Sequence, residues 1–153
     1  MAAIPEQADQ VQAGMDPDRL ALLDNELDVL AGLVDLERVR VVEAGCGNAR
    51  LLRQLLQRHP LATAVGLGVD VVQHARNLAT PEARLCFIEA GAQAIPLPDA
   101  DADLALMLKS LHHVPVAQMD AALAELARVI RPGGWLYVSE PIYGGALNEI
   151  VRL

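Results

Sequence analysis

The sequence predicts a single α/β domain built on a doubly wound, mainly parallel sheet. Short apolar runs alternate with segments in which leucine or valine recurs every three or four residues, and this alternation is typical of consecutive βαβ units. The run DLALML at 103–108 is apolar almost throughout, as expected for a strand that is covered on both faces. The chain has 153 residues without a repeat or linker-like tract. We therefore expect one domain over residues 17–153 and a flexible N-terminal arm over residues 1–16.

The individual elements follow from caps and periodicity. Asp16 and Pro17 form a helix start, an acidic N-cap followed by proline, and this helix is expected to continue to about Leu33. The chain end at 146–153 has the pattern of a further helix. Between them, strands are expected at 39–43, 64–70, 84–89, 103–108 and 135–140, and helices with apolar stripes at 51–56, 71–79 and 116–130.

The composition argues against several kinds of partner and location. A formal charge of −8, from 20 acidic and 12 basic residues, repels nucleic acid, and no basic cluster reverses the sign locally. The N-terminus lacks the apolar core of a signal peptide, and no apolar run approaches the roughly 20 residues that span a bilayer. We therefore expect a cytoplasmic protein that binds neither nucleic acid nor membrane, with Cys46 and Cys86 reduced.

A glycine turn marks the candidate ligand site. Glu43 is followed by Ala-Gly-Cys-Gly, so the turn with Gly45 and Gly47 lies at the carboxyl end of one strand and at the start of a helix. Ligands of open parallel sheets bind at such ends, where glycine lets them approach main-chain N–H groups. Asp70 follows 25 positions after Gly45, where a carboxylate either accepts hydrogen bonds from ribose hydroxyls or caps the next helix. Cys46 has no histidine or aspartate nearby in the sequence to activate it as a nucleophile.

The type of nucleotide ligand is narrowed by two residues of the same turn. A dinucleotide fingerprint needs glycine or alanine three positions after Gly47, where this chain has Arg50. A pyrophosphate also gains nothing from Glu43, whereas a carboxylate beside an α-ammonium group is favourable. A ligand that carries an amino group fits better than a nicotinamide dinucleotide.

Four stretches in order resemble one known family. They are VVEAGCGNARL at 41–51, GLGVDVVQHARNLA at 66–79, AGAQAIPLPDADADLALMLKSLHHV at 90–114 and LARVIRPGGWLYVSEP at 126–141. Together they resemble the class I S-adenosylmethionine-dependent methyltransferases, of the small-molecule kind related to ubiquinone and menaquinone biosynthesis. The resemblance covers roughly residues 35–142, and implies a Rossmann-like fold, S-adenosyl-L-methionine as cofactor and a small-molecule methyl acceptor.

The resemblance also implies roles for particular residues. Its glycine loop holds the methionyl part of the cofactor, the acid after the second strand binds the ribose, and the next residue touches the adenine. The implied cofactor-binding residues are Glu43, Gly45, Gly47, Asp70, Val71, Ala92 and Leu108. His112 and His113 are the candidate catalytic residues, as a base or as the lining of the acceptor pocket, while Lys109 is expected to be a surface charge. No metal is expected.

The chain departs from this family in three places. Ala49 stands where the family often has a third glycine, and Ala90-Gly91-Ala92 stands where Gly-Asp-Ala is common. The acid that would accept a hydrogen bond from the adenine amine is therefore missing, and Glu89 or Gln93 is expected to replace it. The helix and antiparallel strand pair that normally follow the fifth strand are not found in this sequence, so we expect either a fragment that is truncated at the C-terminus or an apolar edge of the fifth strand that a partner or a second copy covers, as in a homodimer. A non-catalytic module that works through protein association is the alternative function.

Overall fold

The computed structural model of the chain describes residues 25–141, and its centre is a five-stranded, fully parallel sheet. The strands lie in the order β3-β2-β1-β4-β5, so the order reverses between β1 and β4. The predicted doubly wound α/β class is confirmed. The strands are β1 (Arg40–Ala44), β2 (Thr63–Gly68), β3 (Leu85–Glu89), β4 (Ala102–Leu108) and β5 (Ile130–Ser139), and the helices are α1 (Glu26–Leu33), α2 (Arg50–Arg58), α3 (Val71–Leu78) and α4 (Val116–Val129).

Helices cover both faces of the sheet, and the central strands supply apolar side chains to each face. In β1, Val41 belongs to the core cluster shared with α1 and α2, and Val42 belongs to the cluster shared with α4. In β4, Leu106 and Met107 divide between the same two clusters. Successive side chains of a strand point to opposite faces. This double burial explains why the DLALML run is apolar almost throughout.

Several predicted boundaries differ from the structure by one or two residues, such as the end of β2 at Gly68 instead of Asp70, and two differ by more. β5 begins at Ile130, directly after α4 and five residues before Trp135, because Ile130 pairs with Ala102 before the register shifts between Ala102 and Leu104. At the other end, Asn25 is extended and its Oδ1 atom accepts the N–H of Leu27 at 3.0 Å. The helix expected from Pro17 to Leu33 is therefore not continuous through Asn25, and α1 begins at Glu26. The 1–16 arm, the Asp16-Pro17 helix start and the 146–153 helix lie outside the described residues.

The segment after β3 is fixed to α4 by charged side chains. The backbone N–H of Ile95 donates to Glu125 at 2.8 Å, and Arg128 donates to the carbonyls of Leu97 and Ile95, each at 2.8 Å. These bonds fix the segment at Ile95 and Leu97, directly after residues 90–93, which border the cavity described below. Within residues 25–141, no helix is long and apolar enough to cross a membrane.

Candidate functional site

A cavity of about 730 Å³ opens at the carboxyl ends of β1, β2, β3 and β4, beside the point where the strand order reverses. Open parallel sheets bind their ligands at this place, and the volume is in the range of small-molecule sites. Its lining comes from the strand ends and turns at 45–48, 68–70, 90–93 and 107–110, from α3 and from the segment 113–118.

The two glycines of the first turn are needed for different reasons. Gly45 has φ +77°, and a Cβ atom placed on it would lie 2.6 Å from the Cβ of Ser110, so the turn after β1 touches the turn after β4. Gly47 has φ +50° with nothing within 4 Å of such an atom, and its carbonyl accepts a hydrogen bond from Nδ2 of Asn77 at 2.8 Å. A close approach was expected at both glycines. At Gly45 the structure shows it between two segments of the protein, whereas Gly47 faces open space.

Ala49 is the residue at which the family often has glycine. It is fully buried and lies in the left-handed region, with φ 55° and ψ 31°, as the N-cap of α2. A left-handed residue other than glycine costs about 1–2 kcal/mol. The alanine is thus accommodated in a conformation that favours glycine.

Glu43 is the buried acid of the site. It lines the cavity, is 4% exposed, and its Oε2 atom has no hydrogen-bond partner among the described residues. Burial raises the pKa of Glu43 to about 8, and the negative charge of Glu26 contributes to the rise. An unpaired buried carboxylate is costly, and a bound ammonium group would relieve that cost. The site therefore fits a ligand with a positively charged amino group.

Cys46 has the properties of a structural thiol. It is buried, and a Cβ atom placed on Gly66 would lie 2.9 Å from its sulfur. Burial, followed by the charge of Glu43, raises the pKa of Cys46 to about 12. Because the thiolate is the reactive form, this thiol is a poor nucleophile at neutral pH.

Asp70 follows β2 and performs the capping role that the sequence left open. Its Oδ1 atom accepts the N–H groups of Val72 at 2.9 Å and of Gln73 at 3.0 Å, as expected for the N-cap of α3. Asp70 also lines the cavity, and among residues 25–141 its Oδ2 atom makes no such bond. One oxygen caps the helix and the other is available to a ligand, so the two roles are compatible and ribose binding stays a prediction.

The base-binding side of the predicted site is formed by residues 90–93. Ala92 and Gln93 line the cavity together with Leu108 from the end of β4, whereas Glu89 and Val71 are not part of the lining. The Gln93 amide lies over Gly91, where a Cβ atom would be 2.4 Å from its Oε1. Of the two candidate replacements for the missing acid, Gln93 is the one at the cavity.

The two candidate catalytic histidines have different positions. His113 lines the cavity. His112 instead borders a smaller pocket with Met119, and its Nδ1 atom lies 2.5 Å from Oε2 of Glu140. The two rings remain neighbours, with centroids 4.0 Å apart. Only His113 is therefore in place to meet a ligand in the cavity.

Lys109 is an exposed charge, as expected, and it also lies at the rim of the cavity. It lines the cavity, has φ 54°, and its Nζ atom is 3.6 Å from Oε2 of Glu26. The same acid lies near Tyr137, whose pKa is raised by burial first and by the Glu26 charge second. A second acid, Glu26, thus lies close to Glu43 and Lys109, although it is not among the residues that line the cavity.

Three polar residues around the site were missed by sequence reasoning. Asn77 is 4% exposed and donates to the glycine turn, whereas the other residues of α3 are exposed or half-buried, so the helix pattern gave no signal for a buried polar residue there. Glu140 follows β5 as Asp70 follows β2, so its place at a strand end was a signal. Glu26 gave no sequence signal, because it occupies one of the ordinary polar positions of α1.

Within residues 25–141, no group of three or more His, Cys, Asp or Glu side chains is arranged to hold a metal ion.

Comparisons with known proteins agree with this geometry. The family described as "Methyltransferase domain" matches residues 42–138. The chain is 34% identical over 115 residues to the fatty-acid O-methyltransferase of Mycolicibacterium smegmatis, covering 72% of this chain and 40% of that protein. It is 27% identical over 129 residues to the ubiquinone biosynthesis O-methyltransferase of Paracidovorax citrulli, covering 82% and 50%.

A solved structure shows the same fold. The S-adenosylmethionine-dependent methyltransferase from Mesorhizobium loti superposes with a TM-score of 0.64 at 23% identity, over 74% of this chain and 52% of that chain. The chain spans about half the length of the curated relatives described above, 40% of one and 50% of the other.

Proposed function

Because the chain belongs to the class I S-adenosylmethionine-dependent methyltransferases, we propose that it binds S-adenosyl-L-methionine in the 730 Å³ cavity and transfers the methyl group to a small-molecule acceptor. The observation that carries this proposal is the buried Glu43 carboxyl group, which lines the cavity with one oxygen unpaired among the described residues. A cation stabilises the ionised form of that group, and the α-ammonium of the cofactor is one. Both curated relatives described above are O-methyltransferases, so we propose oxygen as the acceptor atom.

The chain's own residues would bind and orient the reactants. Glu43 pairs with the ammonium group, the 45–47 turn approaches the methionyl chain, and Asp70 accepts hydrogen bonds from the ribose hydroxyls through Oδ2. Bound S-adenosyl-L-methionine supplies a methyl group that its positively charged sulfur already activates. The protein mainly has to hold the two reactants in line. His113, which faces the cavity, takes the proton from the acceptor hydroxyl.

Calorimetry with S-adenosylhomocysteine tests the proposal. The wild-type chain is expected to bind it with one site, and absence of heat at millimolar ligand would reject the proposal.

Asp70→Asn keeps an oxygen for the helix cap but loses the charged acceptor, so binding should weaken by about tenfold or more without loss of stability. Asp70→Ala should weaken binding similarly and also destabilise the fold by about 1 kcal/mol, because the cap is lost. Equal affinity in wild type and Asp70→Asn would contradict ribose binding by this residue.

Association through β5 is the second candidate function. Among the described residues β5 pairs only with β4, and Trp135, Leu136 and Val138 are 54%, 40% and 39% exposed. An unpaired apolar edge favours pairing with a second copy. Sedimentation velocity is expected to show a dimer that Leu136→Lys dissociates. A wild-type monomer at every concentration would contradict the homodimer.

The cytoplasmic location stays a prediction from the sequence.

A further inference from the structure

The turn that carries the two histidines is fixed by an acid from the neighbouring strand. Leu108 pairs with Ser139 in the parallel ladder, and the N–H of Lys109 donates to the Ser139 carbonyl at 2.7 Å. This register places Glu140 beside the turn that follows β4. Its Oε1 atom accepts the backbone N–H groups of Ser110 at 2.9 Å and of Leu111 at 2.7 Å.

The second oxygen of Glu140 controls the direction of one histidine. Oε2 lies 2.5 Å from Nδ1 of His112, which keeps that ring in the smaller pocket and away from the cavity. The neighbouring His113 ring, 4.0 Å away, is left on the cavity side. One carboxylate thus has three nitrogen partners, which is within the acceptor capacity of its two oxygens.

The same turn is also anchored to β1, by a hydrogen bond that does not involve Glu140. The buried Ser110 hydroxyl donates to the Ala44 carbonyl at 2.8 Å, directly before the glycine turn. Partial burial raises the pKa of Glu140, but hydrogen bonds from His112, Leu111 and Ser110 outweigh it and hold this pKa below its usual range. Glu140 is therefore ionised at neutral pH, and its hydrogen bonds to the turn are charge-assisted.

We propose that Glu140 is a positioning residue, which holds the 110–113 turn so that His113, and not His112, faces the methyl acceptor. The part concerning the acceptor rests on the proposed function. In that reaction the acceptor oxygen bonds to the methyl carbon as the carbon–sulfur bond breaks, and the bonding pair stays on sulfur. The acceptor proton passes to the His113 imidazole. Glu140 touches none of the reacting atoms and acts through the turn.

NMR of the chain, free and with S-adenosylhomocysteine, tests this role with three variants. Glu140→Ala removes all three hydrogen bonds, and Glu140→Gln keeps an oxygen for the two backbone N–H groups. Asp120→Ala removes an equal charge from the exposed side of α4 as a control. In Glu140→Ala the Ser110 and Leu111 amides should exchange at least about tenfold faster, with affinity for S-adenosylhomocysteine within about threefold of wild type. The ligand-induced shift of the His113 ring signals should be lost, whereas Asp120→Ala should behave as wild type.

Glu140→Gln serves as the conservative variant that restores the two backbone hydrogen bonds, and as the test to use if Glu140→Ala does not fold. Glu140→Gln should restore slow exchange at Ser110 and Leu111 while the His112 ring signals move, and it decides the matter if the alanine variant does not fold. Unchanged His112 ring signals in this variant would overturn the inference, as would unchanged amide exchange or an unchanged His113 shift in Glu140→Ala. If wild type does not bind S-adenosylhomocysteine, the proposed function fails. Amide exchange of the free proteins would then still decide whether Glu140 fixes the turn.

Discussion

Glu43→Gln is expected to weaken binding of S-adenosylhomocysteine by at least about a hundredfold and to make the folded protein more stable at pH 8. Glutamine has the shape of a protonated glutamate, so the packing at this 4% exposed position is preserved. It has no negative charge to pair with an ammonium group. Removing one partner of a buried charge pair costs several kcal/mol, which corresponds to a loss of at least about a hundredfold in affinity.

The stability gain follows from the pKa of Glu43, which burial raises from 4.5 to about 8. Below pH 4.5 the group is protonated in both the folded and the unfolded chain, so its titration does not affect the free energy of unfolding. Between pH 4.5 and 8 only the unfolded chain is ionised, and wild type loses roughly 1.4 kcal/mol per pH unit from this group. Glutamine does not titrate. The variant should therefore gain on wild type as pH rises, up to a few kcal/mol near pH 8.

Two measurements check this expectation. Urea unfolding at pH 5 and pH 8 gives the free-energy difference between Glu43→Gln and wild type, with Asp120→Asn as a control for loss of one exposed charge. Calorimetry of wild type should show affinity rising by about tenfold per pH unit between pH 6 and 7.5, because binding requires ionised Glu43. An affinity that is flat over this range, or a variant that gains no stability at pH 8, would contradict the assigned role.

The fold and much of the candidate site were predictable because they follow from local pattern and strand direction. Runs such as DLALML identify strands that are buried on both faces, and parallel strands bring their carboxyl ends together. Residues that end or follow strands, such as Glu43, Asp70 and Leu108, therefore meet at one cavity. This convergence requires only the order of the elements and the sense of the strands.

What could not be predicted depends on contacts between distant segments. The sequence pattern treats His112 and His113 alike, and the difference arises from Glu140, which is 28 residues from His112 and reaches it through the β4 and β5 register. The pairing of Lys109 with Glu26 depends in the same way on how α1 packs against the sheet. The start of β5 at Ile130 depends on an irregular pairing that periodicity does not encode.

Gly45→Ala is expected to destabilise the protein by roughly 2–5 kcal/mol, whereas Gly47→Ala should cost only about 1 kcal/mol. Both residues have positive φ and share the conformational penalty. Only at Gly45 would the new methyl group lie 2.6 Å from the Ser110 side chain. Ser110 cannot retreat freely, because its hydroxyl and its N–H are bound to Ala44 and Glu140.

A double-mutant cycle separates the contact from the backbone strain. Ser110→Gly removes the atoms that the new methyl group would meet, so Gly45→Ala in that background should cost only the strain that Gly47→Ala measures. The coupling free energy from urea unfolding should therefore be at least about 1 kcal/mol in the favourable direction. Equal costs for the two glycine variants, or no coupling with Ser110, would mean that the two turns do not touch.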